Sequence, residues 1–414
     1  MRLLSTSARP WEPTIAVDPR DPGRVVVANA VFEGLDGTPV ATSWIETHAT
    51  NDGGASWTST RMPPLGMHDA MGDAFVAFLR DGTPLAAGLA FDHAGAGAGQ
   101  AYASARSAYS FFVARSSDGG ASWEGPAVVR AGQGALALAL APQPVGEQAA
   151  AAAWDANDKE WIAEGPDGTL LATWADIRII DPPQETVSRQ DLVAATSRDG
   201  GRTWSTPSLV ETGGQWLGAA PAILPDGTMA VAYVDALSLD LHVATSRDGG
   251  ATWRAQPVGS AAFFPALAAS GARLVLAYAD SDERAPDVVQ MDGKPQRVVV
   301  RVSDDAGATW SAPRTVDAPE APGRATPRLA IAPDGTALLS WMHATSAGAE
   351  LRVVAMRGDS ISTPLALDRP QAPSSLLGDY MGLAGTPDGA WAAWVTSADG
   401  KEFRLAVAQM TFAP

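Results

Sequence analysis

The chain has 414 residues, of which 46% are hydrophobic and 18% are charged, a composition typical of a globular protein. Its formal net charge of −17 disfavours nucleic acid and anionic membranes as partners, because both bind basic surfaces. The chain contains no cysteine, which excludes disulfides and thiol chemistry, and no run of about 20 apolar residues that could span a membrane.

One eight-residue pattern, S/T-x-D-x-G-x-S/T-W, recurs five times, at residues 50–57, 116–123, 197–204, 246–253 and 303–310. The Asp side chain can accept hydrogen bonds from backbone N–H groups ahead of it, and Gly supplies the positive φ of a tight hairpin. The Trp then begins the return strand and buries a large ring between sheets. The pattern therefore predicts five hairpins of the same construction.

A second repeat precedes each of these hairpins. A hydrophobic segment leads to a turn and then to a strand that ends in an aromatic residue, with Pro-Asp-Gly-Thr turns at 166–169, 225–228 and 333–336. The first unit has a longer turn at 18–23, and units two, five and seven begin near Asp69, Pro265 and Tyr380. Each unit reads as a four-stranded antiparallel meander, which is the blade of a β-propeller.

Counting the first strands of these units gives seven blades. The sixth unit carries a decayed hairpin pattern at 357–360, and the seventh ends after its third strand. We expect the N-terminus, around residues 3–7, to supply the missing strand and to close the ring, which leaves no exposed inner edge.

Helix is nearly absent from the prediction. One turn could form at 148–153, and residues 135–140 could be strand or helix. Four long insertions, at 32–43, 92–107, 178–190 and 280–296, are predicted to be loops, because they exceed the length of structural hairpins.

The eight-residue pattern is an Asp-box, and the chain resembles the BNR-repeat proteins of the sialidase superfamily. The resemblance implies an all-β propeller, for which six blades is the usual number in sialidases. We predict a single sialidase-like domain over residues 1–414 with seven blades, and six as the alternative. The resemblance favours an extracellular or periplasmic location, although no signal peptide is visible in the sequence.

Propeller topology brings two kinds of segment to one face, namely those that lead into the inner strands and the loops between second and third strands. The Asp-boxes lie on the opposite side and are expected to be structural. Carboxylates, cations and aromatic rings at the functional face suit a sugar-like ligand, because rings stack on sugars while charged groups bind their hydroxyls. The candidates are Trp11, Glu12, Asp69, Asp73, Asp158, Lys159, Glu160, Arg178, Trp216, Phe264, Arg324, Arg328, His343, Asp379 and Tyr380.

The resemblance can be followed residue by residue into this face. Sialidases carry an Arg-Ile-Pro motif whose Arg grips the substrate carboxylate, whereas this chain has Trp11-Glu12-Pro13. Tyr380 matches the tyrosine nucleophile of that family, which is paired with a Glu, and Asp69 or Asp73 matches its acid/base Asp. The resemblance thus implies Tyr380, Asp69, Asp73 and Glu160 as catalytic residues, with Arg324 as one remaining carboxylate ligand.

Plainer interpretations stand beside these. Tyr380 could plug the channel with a hydrogen bond to Asp379, and residues 158–160 could form a solvated charge cluster. Arg178 and Arg328 could make surface ion pairs. Metal ligation is a further possibility, by the neighbouring pairs His68-Asp69 and Asp92-His93.

We therefore expect a carbohydrate-active enzyme, hydrolase-like or lyase-like, or alternatively a binding or scaffold propeller without catalysis. The expected ligand is a glycan or another small molecule, with no nucleic-acid or membrane partner, and the chain is expected to be a monomer. No cofactor is expected, with calcium as the alternative for so acidic a chain. Because the first Arg is missing, we expect little cleavage of sialic acid.

Overall fold

The computed structural model describes residues 1–33, 42–66, 68, 70–91, 109–132, 154–180, 186–287, 290–370, 372–373 and 377–412. These residues form seven antiparallel sheets of four or five strands each. The inner strands of all seven sheets line one central channel, so the molecule is a seven-bladed β-propeller. The predicted fold class and the count of seven are confirmed.

The blades follow the chain in order. Blade 1 contains β2 (Arg9–Asp18), β3 (Asp21–Glu33), β4 (Thr42–Thr50) and β5 (Thr58–Arg61). Blade 2 contains β6 (Ala70–Phe78), β7 (Pro84–Phe91), β8 (Ser110–Arg115) and β9 (Ala127–Arg130). Blade 3 contains β10 (Trp154–Glu164), β11 (Leu170–Ile180), β12 (Thr186–Ser197) and β13 (Ser208–Glu211).

The remaining blades have the same order, from the channel outward. Blade 4 contains β14 (Trp216–Ile223), β15 (Met229–Asp235), β16 (Asp240–Ser246) and β17 (Arg254–Ser260). Blade 5 contains β18 (Ala266–Ser270), β19 (Arg273–Asp280), β20 (Arg297–Ser303) and β21 (Arg314–Asp317). Blade 6 contains β22 (Arg328–Ile331), β23 (Ala337–Thr345), β24 (Gly348–Arg357), β25 (Ser360–Ile361) and β26 (Leu365–Asp368).

The N-terminus closes the ring, as predicted. Blade 7 contains β27 (Gly382–Thr386), β28 (Gly389–Thr396) and β29 (Arg404–Thr411) from the C-terminal end of the chain. Its outermost strand is β1 (Arg2–Leu4), which pairs antiparallel with β29. The first and last segments of the chain are thereby joined in one sheet, which removes a free edge from the last blade.

The Asp-boxes are the hairpins between third and fourth strands, and the Asp, Ser and Thr side chains of the pattern are hydrogen-bonded in all five. In the box at 197–204, the Asp199 carboxylate accepts from the N–H and the hydroxyl of Thr203, at 2.9 and 2.5 Å. The Ser197 hydroxyl donates to Asp199 and accepts from the N–H of Gly201. Gly200 and Gly201 have φ of 69° and 84°, a conformation that strains a residue with a Cβ atom.

The box tryptophans fill the interfaces between adjacent blades. The Trp57 ring lies 6.0 Å from the ring of Trp391 in blade 7, and the Trp123 indole donates to Thr47 in blade 1 at 2.8 Å. The Trp253 indole likewise donates to Ser208 in blade 3. Each box Trp thus packs against the preceding blade, and its large apolar area makes these contacts a main source of interblade stability.

One prediction about the insertions is wrong. Most of residues 178–190, predicted as a loop, extend the β11–β12 hairpin, and Arg178 pairs in register with Arg189. The segment 280–296 contains a short 3-10 turn, Gln290–Gly293. The helical turns considered at 135–140 and 148–153, and the insertion at 92–107, lie outside the described residues. No helix in the described part of the chain has the length and apolarity that crossing a membrane requires.

Candidate functional site

A β-bulge recurs where each of the first four inner strands leaves the functional face. The pairing register shifts between Trp11 and Thr14, between Gly72 and Phe75, between Asp158 and Trp161, and between Leu217 and Ala220. Each shift places two inner-strand residues opposite one residue of the second strand, which bends the strand and re-aims its side chains.

The first bulge residue has positive φ in all four blades. The values are 49° at Glu12, 51° at Asp73, 52° at Lys159 and 70° at Gly218. Glycine adopts this conformation without strain, as blade 4 shows, whereas Glu12, Asp73 and Lys159 are charged residues that hold it at a cost of roughly 1–3 kcal/mol each. Strained backbone that presents charged side chains to one mouth is typical of a functional site.

Lys159 stands at the centre of these bulges. Its Nζ atom lies 3.2 Å from Asp379, 3.3 Å from Asp73 and 3.4 Å from Glu12, and only 13% of its side chain is exposed. Burial by itself lowers the pKa of Lys159, but the surrounding carboxylates outweigh it and hold the pKa well above the ordinary range. A single ammonium therefore supplies the positive charge for carboxylates from three blades.

Asp379 joins this cluster to blade 6. Its carboxylate pairs with Arg324 as well as with Lys159, and its backbone N–H donates to Glu12 at 3.2 Å. The Arg324 guanidinium also lies 4.0 Å from the Phe263 ring centre. Burial raises the pKa of Asp379, but Lys159 and Arg324 lower it further, so this carboxylate is ionised.

The other acids of the cluster are driven toward their neutral forms. Burial raises the pKa of Glu12 and Glu160 well above the ordinary value, and Lys159 offsets only part of this at Glu12. Burial also raises the pKa of Asp158, to about 7. Neither carboxyl oxygen of Glu160 has a hydrogen-bond partner among the described residues, although both are buried.

Tyr380 lies beside Glu160 and above the channel. Its ring makes an edge contact with Trp161 at 5.1 Å, and the Arg328 guanidinium lies 3.9 Å from the Trp161 ring and 4.9 Å from the Tyr380 ring. Burial and the carboxylates of Glu12 and Asp73 raise the pKa of Tyr380 well above its usual range. Its hydroxyl is therefore protonated at neutral pH.

The channel continues below these rings as a cavity of about 200 Å³ lined by inner-strand residues of all seven blades. Arg328 and Trp161 form part of its wall. Burial lowers the pKa of Arg328 to about 10, which still leaves it charged at neutral pH. The arrangement offers a proton donor, ionised carboxylates and a cation on aromatic rings within one concave site.

Comparisons with known proteins agree with this architecture. The model of the BNR repeat-like domain matches residues 177–368. The chain is a seven-bladed β-propeller with a BNR repeat-like region.

Solved structures share the fold of this propeller at low sequence identity. A protein of unknown function from Dyadobacter fermentans has a TM-score of 0.55 at 15% identity, with 98% of this chain and 95% of that chain covered. The Hadza microbial sialidase Hz136 has a TM-score of 0.52 at 15% identity, with coverage of 89% and 74%. The NanB sialidase from Streptococcus pneumoniae has a TM-score of 0.51 at 12% identity, with coverage of 92% and 82%. No curated protein sequence matches the chain.

Several predicted site residues of the propeller do meet at the channel mouth. They come from blades 1, 2, 3, 6 and 7 and are Glu12, Asp73, Asp158, Lys159, Glu160, Arg324, Arg328, Asp379 and Tyr380. Phe264 also lies there, with its ring centre 6.0 Å from the Lys159 ammonium. Asp69 lies outside the described residues.

Other predicted residues lie elsewhere in the propeller. Trp216 is buried within blade 4 against Tyr233 and His242, so it does not obstruct the channel. His343 is buried in blade 6, where its Nδ1 atom lies 2.5 Å from the Asp317 carboxylate. Trp11 packs on Ala30 and Phe32 of its own blade, and Arg178 lies on the β11–β12 hairpin.

Two alternatives from the sequence are wrong in this propeller. Residues 158–160 are not a solvated cluster, because Glu160 is 3% exposed and Lys159 is enclosed by carboxylates. Arg328 makes no surface ion pair, since it stacks on two rings inside the channel. The Tyr380 hydroxyl makes no hydrogen bond to Asp379 or to any other residue that the structure describes.

Sequence reasoning missed Trp161 and the common bulge position. Trp161 follows Glu160 directly, and its ring joins Tyr380 to Arg328. The bulge residues Asp73, Lys159 and Gly218 each precede an x-Asp-Gly turn by seven positions, at Arg80, Pro166 and Pro225. This constant spacing is the signal in the sequence that aligns the three bulge positions.

The described residues of the propeller contain no group of three or more His, Asp or Glu side chains arranged to hold a metal ion. His93, Asp92 and Asp69, which the sequence suggested as metal ligands, lie outside the described residues.

Proposed function

We propose that the channel mouth binds a glycan and cleaves its glycosidic bond, and that the reacting sugar is not a sialic acid. The observation that carries this proposal is Glu160, a buried carboxyl at the mouth whose oxygens have no partner among the described residues and which interacts electrostatically with Asp73 and Tyr380. Buried polar atoms are nearly always hydrogen-bonded, so an unpartnered carboxyl in a cavity wall indicates a bound group. Solved structures of the same fold include sialidases, which supports a sugar as that group.

Glu160 is suited to act as a general acid. Burial raises its pKa well above the ordinary value and so favours the protonated carboxyl, which is how glycosidases hold a proton for the departing oxygen. In the proposed reaction, Glu160 gives this proton to the glycosidic oxygen as the bond from carbon to oxygen breaks.

Asp73 and Tyr380 are assigned to the other step of the reaction, the attack on the sugar carbon. Asp73 is held in an ion pair with Lys159 at 3.3 Å, and it accepts the proton of the attacking hydroxyl, which belongs to water or to Tyr380. Tyr380 is protonated in the resting site, so an attack by its oxygen requires this proton transfer. The rings of Tyr380, Trp161 and Phe264 offer stacking surfaces for the sugar.

The charges at the mouth argue against sialic acid. The position of the first Arg of sialidases is held by Trp11, and Glu12 beside it is an acid. Lys159 and Arg324 are already paired with carboxylates. A substrate carboxylate would have to be desolvated beside Asp73 and Asp379, and Arg328 is the cation in the described mouth without a carboxylate partner.

A binding propeller without catalysis is the second candidate, and one observation favours it. The Tyr380 hydroxyl makes no hydrogen bond to a carboxylate of the described residues, as an activated nucleophile would. Against it, Trp216 and Trp11 pack within their own blades and do not fill the channel, although Phe264 lies at its mouth.

The test is a panel of aryl glycosides of neutral sugars, with uronate-containing polysaccharides as an anionic comparison that the carboxylates of the mouth should disfavour. We expect turnover of at least one substrate, lost by about 100-fold or more in Glu160→Gln, because general acids contribute about 10²–10⁴-fold. Asp199→Asn, in a box on the opposite face, is the matched control and should retain activity.

Calorimetric binding of the same glycans separates the two candidates. Binding without turnover, unchanged in Glu160→Gln and Tyr380→Phe, would establish the non-catalytic propeller. The proposal would be refuted if no glycan of the panel were either cleaved or bound.

A further inference from the structure

The interface between blades 5 and 6 lacks the box tryptophan that other interfaces between blades contain. The hairpin between β24 and β25 is the decayed box, and it is closed by Gly358 and Asp359 alone. Its shortness removes the loop that carries the Asp and Gly positions of the pattern. The consequence at this interface is a change in the residue that faces blade 5.

Hydrogen bonds identify Ile361 as the residue in the place of the box Trp. The N–H of Ser362 donates to the carbonyl of Ala355 at 2.9 Å, and the Ser362 hydroxyl accepts from the N–H of Ala355 at 3.0 Å. Ser205 makes the same two bonds with Thr196 one residue after Trp204, and Ser311 makes them with Val302 one residue after Trp310. The residue before Ser362 is Ile361.

An isoleucine is far smaller than an indole, and a cleft of about 570 Å³ lies at this position. Its floor is apolar and is formed by Val275 and Val300 of blade 5 with Ala337, Met356 and Ile361 of blade 6. No residue in the described part of the chain occupies it. An apolar cavity of about 150 Å³ is already large enough to bind benzene in other proteins.

The rim of this cleft is basic, in a chain whose formal net charge is −17. Arg273, Arg301 and Arg314 border it, with Asp359 as the acidic neighbour. Arg273 is paired with Asp304 at 2.7 Å, and Arg314 donates to the backbone carbonyl of Asp359. Each guanidinium has five N–H donors, so these bonds leave donors available for a further acceptor.

We propose that the cleft between blades 5 and 6 is a binding site for a small aromatic carboxylate. The flat ring takes the space that a box Trp occupies between other blades, and the carboxylate lies at the arginine rim, where charge-assisted hydrogen bonds form. This site lies on the side of the propeller opposite to the channel mouth and is independent of the proposed glycan site.

The probe is indole-3-acetate, titrated into the full chain by calorimetry and by ligand-observed NMR. We expect saturable binding at one site, weakened by about tenfold or more in Ile361→Trp, which fills the cleft. The matched variant Ile361→Leu leaves the cleft open and should bind within about twofold of the wild type. Thermal unfolding of both variants checks that they are folded.

Two further arms keep the test decisive if Ile361→Trp does not fold. Arg314→Gln, at an exposed position, should weaken indole-3-acetate severalfold and leave indole unchanged. Tryptamine, which carries an amine in place of the carboxylate, should bind more weakly than indole-3-acetate. Absence of saturable binding, unchanged affinity in a folded Ile361→Trp, or tighter binding of tryptamine would overturn the proposal.

Discussion

The same residue type behaves in opposite ways at the two ends of the propeller. Asp199, in a box hairpin, has a pKa of about 2, chiefly because the hydroxyl and the N–H of Thr203 donate to its carboxylate. Asp158, at the channel mouth, has a pKa of about 7, because burial disfavours its charge. One carboxylate is fully solvated and fully hydrogen-bonded, and the other is enclosed among like charges.

This difference separates structural carboxylates from reactive ones. The box acids are locked in one ionisation state over the whole physiological range and serve to close hairpins. The mouth acids have raised pKa values at Glu12, Asp158 and Glu160, so small changes in their surroundings change their charge. Although the repeated Asp-boxes are the strongest signal in the sequence, they therefore identify structural hairpins and not the candidate site.

The largest effect is expected from Lys159→Met. The change leaves Asp73, Asp379 and Glu12 without their shared ammonium, and breaking a buried ion pair costs about 3–5 kcal/mol. Urea unfolding at neutral pH should show this loss of free energy. The loss should shrink in acid, because carboxylates that have lost their ammonium protonate more readily in the variant.

Lys294→Met is the matched control for that change. Lys294 pairs with Glu283 at 2.9 Å, but 33% and 59% of the two side chains are exposed. Exposed ion pairs contribute about 0–1 kcal/mol, so this variant should be nearly as stable as the wild type. Equal losses of unfolding free energy in the two lysine variants would contradict the claim that the buried ion pairs of the mouth contribute more than an exposed pair.

A second prediction concerns Asp158→Asn and the pH dependence of stability. The folded-state pKa of Asp158 lies above its unfolded value, so the folded protein holds a proton that the unfolded chain has released. Between about pH 4 and 7 this group therefore makes the free energy of unfolding fall as pH rises, by at most roughly 1.4 kcal/mol per pH unit. In the Asn variant that contribution is absent.

Urea unfolding of both proteins across this window measures the effect. The wild type should lose more free energy of unfolding than Asp158→Asn between about pH 4.5 and 7.5. Parallel profiles for the two proteins would show that burial does not hold the proton on Asp158.

The smallest effect is expected from Asp199→Asn. The depressed pKa of Asp199 means that its contribution is complete above its unfolded value and is lost as pH falls toward 2. We expect a loss of about 1 kcal/mol at neutral pH, from weakened hydrogen bonds to Thr203, and this loss should shrink as pH falls through about 2. If the difference in unfolding free energy between the wild type and Asp199→Asn persisted in acid, its cause would be the altered shape of the side chain and not its charge.

The fold was predictable because its signals are local. The boxes and the Pro-Asp-Gly turns fix hairpins over a few residues, and their spacing fixes the blade count at seven. Closure by β1 followed from the missing strand of the last blade. The shortened hairpin at 357–360 was visible in the sequence, but the cleft beside Ile361 was not, because it depends on packing between two blades.

The site was predictable only in part, because it is assembled from blades far apart in sequence. The sequence placed Glu12, Lys159 and Asp379 on one face but could not show that one ammonium contacts both carboxylates. Nor could it distinguish Trp216, which packs in the core of blade 4, from Trp161, which contacts Tyr380. Burial decides both the pKa values and the direction of these rings, and burial is a property of the folded chain.

The most direct test of the central claim is hydrolysis of a fluorogenic α-ketosidic sialoside by the purified protein. The claim is that this propeller carries a mouth that cannot grip a sialic acid carboxylate, since Trp11 stands where the resemblance to sialidases implies an Arg, and Lys159 and Arg324 are already paired. We predict no measurable turnover by the unmodified chain. A gain in Trp11→Arg alone would identify the missing guanidinium as the cause, whereas robust turnover by the unmodified chain would contradict the account.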